Sequence, residues 1–343
     1  MMALVTAALA RSPETLREAA DRAGILIGTA VRPSLFSEAA YSATLSREFN
    51  MVEAEDAMKW SVVRRDQSFE FSQGDEVVRF ARAHGMKVRG HCLVWDHDSP
   101  LWLTQGRFTP DQLAGLLRDH ITTEMKHYAG EVFAWDVVNE ALNEKGDAKD
   151  SIWYNQPGIG MSGKGTAYVE QAFRWAHEAE PHALLFYNEA EAEEMNRKSD
   201  AVYAMVRDFK DRGVPIDGVG LETHIAPGFD THALSANIER LTNLGLQVQI
   251  TELDVSVPVN SGRESDEKDL MGQADVYRSV TRVCLAHPGC TAIQTWGFTD
   301  KWSWIGSHSR GTRGSALIFD GSYRPKPAYD ALVSALYARP GIH

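Results

Sequence analysis

At 343 residues, with 43% hydrophobic and 24% charged side chains, the chain has apolar material for a large core, which excludes intrinsic disorder, and it lacks the long apolar run of a membrane span. A formal net charge of −12 without a basic run excludes the electrostatic footprint of a nucleic-acid binder. No composition shift marks a linker and no Gly-rich phosphate or dinucleotide loop occurs, so one domain over residues 1–343, with a core near 24–338, and no cofactor are expected.

Residues 1–10 are apolar and end in Ala-Leu-Ala like the tail of a secretory signal, though they are short and lack a basic start; a trimmed signal and an ordinary first helix both fit. A helix over 13–23 stops at Gly24, and 25–30 is strand one. Strand two is expected over 48–52, followed by Glu53-Ala54-Glu55-Asp56-Ala57-Met58-Lys59-Trp60, a polar cluster suited to a barrel mouth. A helix over 73–84 leads to strand three, 87–95, which carries His91 and Trp95. A helix opened by Thr109-Pro110 runs over 111–128. The next run, Phe133-Ala134-Trp135-Asp136-Val137-Val138-Asn139-Glu140, reads as a buried strand that delivers an amide and a carboxyl to its tip.

Beyond it the spacing predicts a helix over 166–180, strand five over 183–189 with Asn188 near its tip, and a helix over 192–212. Strand six, 216–224, sets Glu222 and His224 on one face through the two-residue repeat. A helix over 231–244, strand seven over 246–254 with Glu252, a helix over 267–286, strand eight over 292–298, an aromatic loop with Trp302 and Trp304, and a last helix over 325–336 complete the chain. Strands alternating with helices, with polar and aromatic residues at the strand ends, are the pattern of a (β/α)8 TIM barrel. Cys92 is expected as a buried thiol. Cys284 and Cys290 could close a short disulfide loop in an oxidising compartment, the alternative being two free thiols in a cytosolic enzyme.

Glu140 and Glu252 are separated by about three strand–helix units, which places them on strands four and seven. Two carboxyls facing one cleft suit glycosidic cleavage, one protonating the leaving oxygen and the other attacking or activating water. Nine Trp and ten Tyr provide flat faces for the C–H sides of sugar rings.

The Trp135–Ala141 stretch and Ile250-Thr251-Glu252-Leu253-Asp254 resemble the acid/base and nucleophile motifs of family 10 glycoside hydrolases, the retaining endo-β-1,4-xylanases, and the likeness runs from about Gly28 to the last helix. The resemblance implies Glu140 as general acid and then base, Glu252 as nucleophile, Asn139 as a hydrogen-bonder to the sugar 2-hydroxyl, and His224 as the group orienting Glu252. It further implies sugar-binding roles for Glu55, Asp56, Lys59, His91, Trp95, Asp98, Asn188, Glu222, Trp296 and Trp304, and it supplies a counterpart for the Cys284–Cys290 disulfide. Acids depart from the family pattern at Asp56, where Asn is usual, at Asp96 and Asp98, where His and Gln are usual, and at Glu222, where Gln is usual.

The activity so implied is hydrolysis of internal xylosidic bonds in xylan or xylo-oligosaccharides by a monomer that is secreted or periplasmic, with cytoplasmic placement as the alternative. The acidic positions allow a second reading, the same chemistry on a modified, mixed-linkage or different β-glycan. They should also raise some carboxyl pKa values. A metal-dependent hydrolase using His91, Asp96, Asp98, Glu222 and His224 is a competing class, opposed by the lack of a His-x-His or His-Glu-x-x-His arrangement. No metal is expected. A catalytically silent sugar-binding protein is the third.

Overall fold

The computed structural model describes residues 15–259 and 265–338. Eight strands form its frame: β1 (Leu26–Val31), β2 (Met51–Ala54), β3 (Lys87–Gly90), β4 (Val132–Asn139), β5 (Leu184–Glu189), β6 (Gly218–Leu221), β7 (Gln247–Val255) and β8 (Cys290–Thr295). Each is parallel to the next, and β8 bonds back to β1 through Leu26 opposite Ala292, so the sheet closes into a barrel. Helices Ala39–Glu48, Ser72–Ala83, Pro110–His127, Ala167–Ala179, Arg197–Asp211, Thr231–Thr242, Glu267–Ala286 and Pro327–Tyr337 each follow one strand. Their starts are written locally. The Thr109 hydroxyl accepts from the Gln112 N–H while the Gln112 side chain caps the Thr109 N–H, with Pro110 at the first turn.

Four boundaries differ from expectation, each for a visible reason. β2 begins at Met51 because Glu48 ends the preceding helix, where its buried carboxylate accepts the Leu16 N–H at 3.0 Å. β3 stops at Gly90; a cis peptide joins His91 to Cys92, and the chain rejoins β4 only through the Leu93 N–H on Asp136 (3.0 Å) and a Val94–Val138 bridge. The helix expected from 192 starts at Arg197, capped by Asn196. β6 ends at Leu221, and Thr223 follows in the left-handed region at φ 67°. Glu222 and His224 thus reach the same side through a turn and not through strand alternation.

The barrel interior carries a charged layer under its C-terminal mouth. Arg89 of β3 forks onto Asp136 of β4, reaches Gln249 of β7 at 2.6 Å and lies 3.3 Å from Glu53 of β2. Gln294 of β8 donates to Glu53 and to the Thr251 carbonyl. All five side chains are essentially inaccessible, so pairing is what makes their burial tolerable. The Cys284–Cys290 disulfide forms at the opposite end, where β8 begins, and Cys92 is a buried free thiol. Among the described residues no helix is long and apolar enough to cross a membrane. The expected signal-like stretch 1–10 lies outside the described residues.

Candidate active site

A cleft of about 610 Å³ opens at the C-terminal mouth, lined by Asn139, Glu140, Glu222, His224 and Glu252 with Lys59, His91, Trp95, Trp296 and Trp304 around them. Residues at or just beyond the ends of six strands therefore meet at one place, as the fold class requires.

Glu140 follows β4 at φ 51°, held there because its N–H donates to the Asn188 carbonyl (3.0 Å) and the next N–H, of Ala141, donates to the Tyr187 hydroxyl (3.1 Å). The loop beyond it folds back on itself: Leu142 bridges Ala148, and the Lys149 N–H bonds to the Ala141 carbonyl at 2.9 Å. That return brings the Lys149 ammonium to 3.1 Å from the Glu140 carboxylate.

Glu252 lies in β7 and is buried. Asn188 Nδ2 donates to its Oε1 at 2.9 Å, and His224 Nε2 lies 3.2 Å from its Oε2. The other ring nitrogen of His224 lies 3.1 Å from Asp254 Oδ2, which also accepts from the Trp304 indole at 2.8 Å. Burial works against charge on His224, but Asp254 and Glu252 outweigh it and raise its pKa well above the usual value. An imidazolium donating from both nitrogens fits this geometry and holds the Glu252 carboxylate in place. Asn188 is itself aimed by the Thr251 hydroxyl, which donates to its Oδ1 at 2.7 Å. Room for that amide comes from Gly220, its neighbour on β6: a Cβ there would lie 2.0 Å from Asn188 Oδ1.

Asn139 accepts from Asn188 Nδ2 at 2.8 Å. Glu222 is buried beside Glu252, and burial first, then the charges of Glu252 and Glu140, raise its pKa well above the ordinary carboxyl value. The Lys59 ammonium sits 4.8 Å from the Trp95 ring centre and 5.8 Å from that of Trp296, a charged bridge between two indole walls. His91 meets Trp296 edge-on at 5.3 Å, and Trp304 meets His224 edge-on at 4.9 Å.

Four expected sugar ligands do not line the cleft; one is Asn188, fully buried with its amide turned onto Asn139 and Glu252. Glu55 is paired with Arg32, Asp56 is largely exposed and paired with Lys59 at 3.0 Å, and Asp98 accepts from the Ser61 N–H (3.0 Å) and hydroxyl (2.7 Å). Sequence reasoning also missed residues that matter. Glu53 lies under the cleft near His91 and Glu252, its pKa pushed up to about 8 by burial, with the charges of Asp136 and Glu252 adding and those of His91 and Arg89 opposing. Lys149, Glu193 and the His224–Asp254 contact were also missed. One signal was available: an Asp inside Trp135–Asn139 and an Arg inside β3, charged residues in apolar strands, each demand a buried partner.

Two groups, Glu53–His91–Glu252 and Glu222–His224–Glu252, bring three possible ligand atoms within 4.8 Å of one another. In the second, both nitrogens of His224 are engaged by carboxylates, and in the first an arginine stands 3.3 Å from Glu53. These contacts orient the carboxylates of both groups.

The family described as glycosyl hydrolase family 10 matches residues 15–335. Endo-1,4-beta-xylanase B of Thermotoga neapolitana is 40% identical over 322 residues, covering 92% of this chain and 90% of its own. Among solved structures, native xylanase 10B of Thermotoga maritima has a TM-score of 0.89 and 41% identity over 94% of this chain and 98% of its own. Xylanase 10B of Thermotoga petrophila RKU-1, solved in complex with xylobiose, has a TM-score of 0.89 and 40% identity over 95% and 98%. TsXylA, described as an intracellular xylanase of Thermoanaerobacterium saccharolyticum, has a TM-score of 0.84 and 33% identity over 94% and 99%. A match along almost the whole barrel, with its two glutamates at the mouth, leaves one assignment: the chain belongs to glycosyl hydrolase family 10.

Proposed function

We propose that the protein is an endo-β-1,4-xylanase that hydrolyses internal xylosidic bonds by double displacement with retention. The observation that carries this is the presence of Glu140 and Glu252 in one cleft with opposite surroundings, one carboxylate locked by an amide and an imidazolium and the other on a half-open loop beside one lysine. Glu252 attacks the anomeric carbon as Glu140 protonates the leaving oxygen; water then enters, Glu140 takes its proton, and the glycosyl ester is cleaved. Asn139 is positioned to bond the hydroxyl next to the reacting carbon, and Trp95, Trp296 and Trp304 offer the apolar walls along which xylose rings lie.

The second reading, a modified or different β-glycan, narrows to one residue. Of Asp56, Asp96, Asp98 and Glu222, Glu222 alone lines the cleft. Product analysis on xylan, linear xylo-oligosaccharides, mixed-linkage β-glucan and cellulose tests both. Short xylo-oligosaccharides released first as the β anomer, by wild type and not by Glu252→Ala, are expected. An α-anomeric first product or no xylan cleavage would overturn the proposal, and preference for another β-glycan would transfer it to the second reading. The disulfide supports a secreted or periplasmic location, as such bonds persist in oxidising compartments, and we take the working form to be a monomer.

A further inference from the structure

A negative charge on Glu222 would not be balanced by its surroundings. The residue is 3% exposed, and one of its carboxylate oxygens lies within 4.8 Å of one belonging to Glu252. The cations near it are taken. His224, on its own segment, is 3.9 Å from Glu222 but 3.2 Å from Glu252 and 3.1 Å from Asp254, both on β7. Beyond β4, Lys149 pairs with Glu140 at 3.1 Å; at the tip of β5, Glu189 pairs with Lys198 at 2.9 Å. The loop after β5 adds another acid, Glu193, which accepts the Thr223 N–H at 2.9 Å.

The Asn188 amide that faces Glu222 is oversubscribed. Asn188 Nδ2 has two N–H bonds and three acceptors, Asn139 at 2.8 Å, Glu252 at 2.9 Å and Glu222 at 3.3 Å. Glu222 has the longest of the three. Two carboxylates this close and shielded from water do not both ionise, and the one with the better donors keeps the charge.

We propose that Glu222 stands as the neutral carboxylic acid beside the ionised Glu252, a positioning residue whose O–H donates toward the nucleophile or a hydroxyl of the bound sugar, and that losing this proton shuts the site down at high pH. The direction of its pKa, raised by burial and by the charges of Glu252 and Glu140, agrees. The role rests on the hydrolytic reading above; the protonation state does not.

The first measurement is kcat/KM against pH with an aryl β-xylobioside whose leaving group departs without an acid, so that Glu140 does not shape the basic limb. The wild type should fall at high pH, and Glu222→Gln, which keeps a donor but cannot ionise, should carry that limb upward by about one pH unit or more. A basic limb at the same pH in both would overturn the proposal. The second is carboxyl carbon NMR of the glutamate-labelled free protein. One resonance titrating above the ordinary carboxyl range should vanish in Glu222→Gln and titrate at lower pH in Glu252→Gln, where the neighbouring charge is gone; spectra showing neither change would overturn it. This reading needs no turnover, so a wild type that cleaves no β-glycan would sink the functional proposal while the proton on Glu222 is still decided.

Discussion

The two glutamates of the cleft are held in contrasting ways. Glu252 lies within a strand, its side chain 5% exposed, with one oxygen on Asn188 and the other on a His224 that Asp254 and Trp304 hold from behind. Glu140 lies just past a strand in a left-handed conformation, its side chain 17% exposed, with a single lysine beside it. A nucleophile must stay ionised and in one place, whereas an acid that later serves as a base must exchange its proton with a leaving group and with water. Opposite surroundings suit the two proposed jobs to one residue type.

That contrast can be broken most severely at Glu252, the proposed nucleophile. Glu252→Ala should lower turnover on xylan on the order of 10⁴-fold. Azide admitted to the vacated space should then yield the opposite anomer from an activated substrate, and a product of unchanged configuration would exclude Glu252 as the attacking group. Glu140→Ala should cost on the order of 10³-fold on xylan, yet with an activated aryl xyloside the first step should survive and show a burst. An equal loss on both substrates would erase the division of roles.

His224→Ala leaves both glutamates in place but frees Glu252 on one side; kcat should drop on the order of 10²-fold with the melting temperature little changed. A loss confined to KM would mean that His224 binds sugar and does not aim the nucleophile. The smallest effect concerns Glu53, whose pKa burial pushes up to about 8 from an ordinary 4.5. Between those values the folded protein holds a proton that the unfolded chain has released. Its contribution is therefore present in full below about pH 4.5 and is lost as pH rises through about 8. Glu53→Gln, neutral throughout, should flatten the fall in melting temperature between about pH 5 and pH 8, and equal slopes would exclude Glu53 as its source.

The legible parts of the molecule were those encoded by near neighbours in the chain. Apolar runs ending in Asn139-Glu140 and Thr251-Glu252 declare strands with functional tips, and Thr109-Pro110 and Gly24 declare helix ends, because each depends on residues within a turn of one another. The floor of the site was not legible. Arg89 meets Asp136 and Gln249, and Gln294 meets Glu53, across 47, 160 and 241 residues, contacts that exist only once the barrel has closed. The interruption at His91–Cys92 was hidden for a related reason: Leu93 and Val94 are buried against β4 and look like a continuing strand. The sugar-binding expectations at Glu55 and Asp98 met the same limit, since what decides whether a carboxylate faces the cleft is the partner, Arg32 or Ser61, that turns it away.

Gly220 bears on how such an enzyme can fall silent. Asn188 can serve Glu252 only because position 220 offers no carbon where the amide oxygen sits, 2.0 Å from where a Cβ would be, with Thr251 Cγ2 at 2.9 Å closing the other side. Adding one methyl group there would displace the amide and loosen Glu252 while every residue with a proposed chemical role remained in the sequence. A chain of this family with both glutamates, its histidine and its tryptophans intact, but alanine at this position, would look competent residue by residue and turn over poorly. Inventories of catalytic side chains are blind to that kind of inactivation, because the determinant is an empty volume.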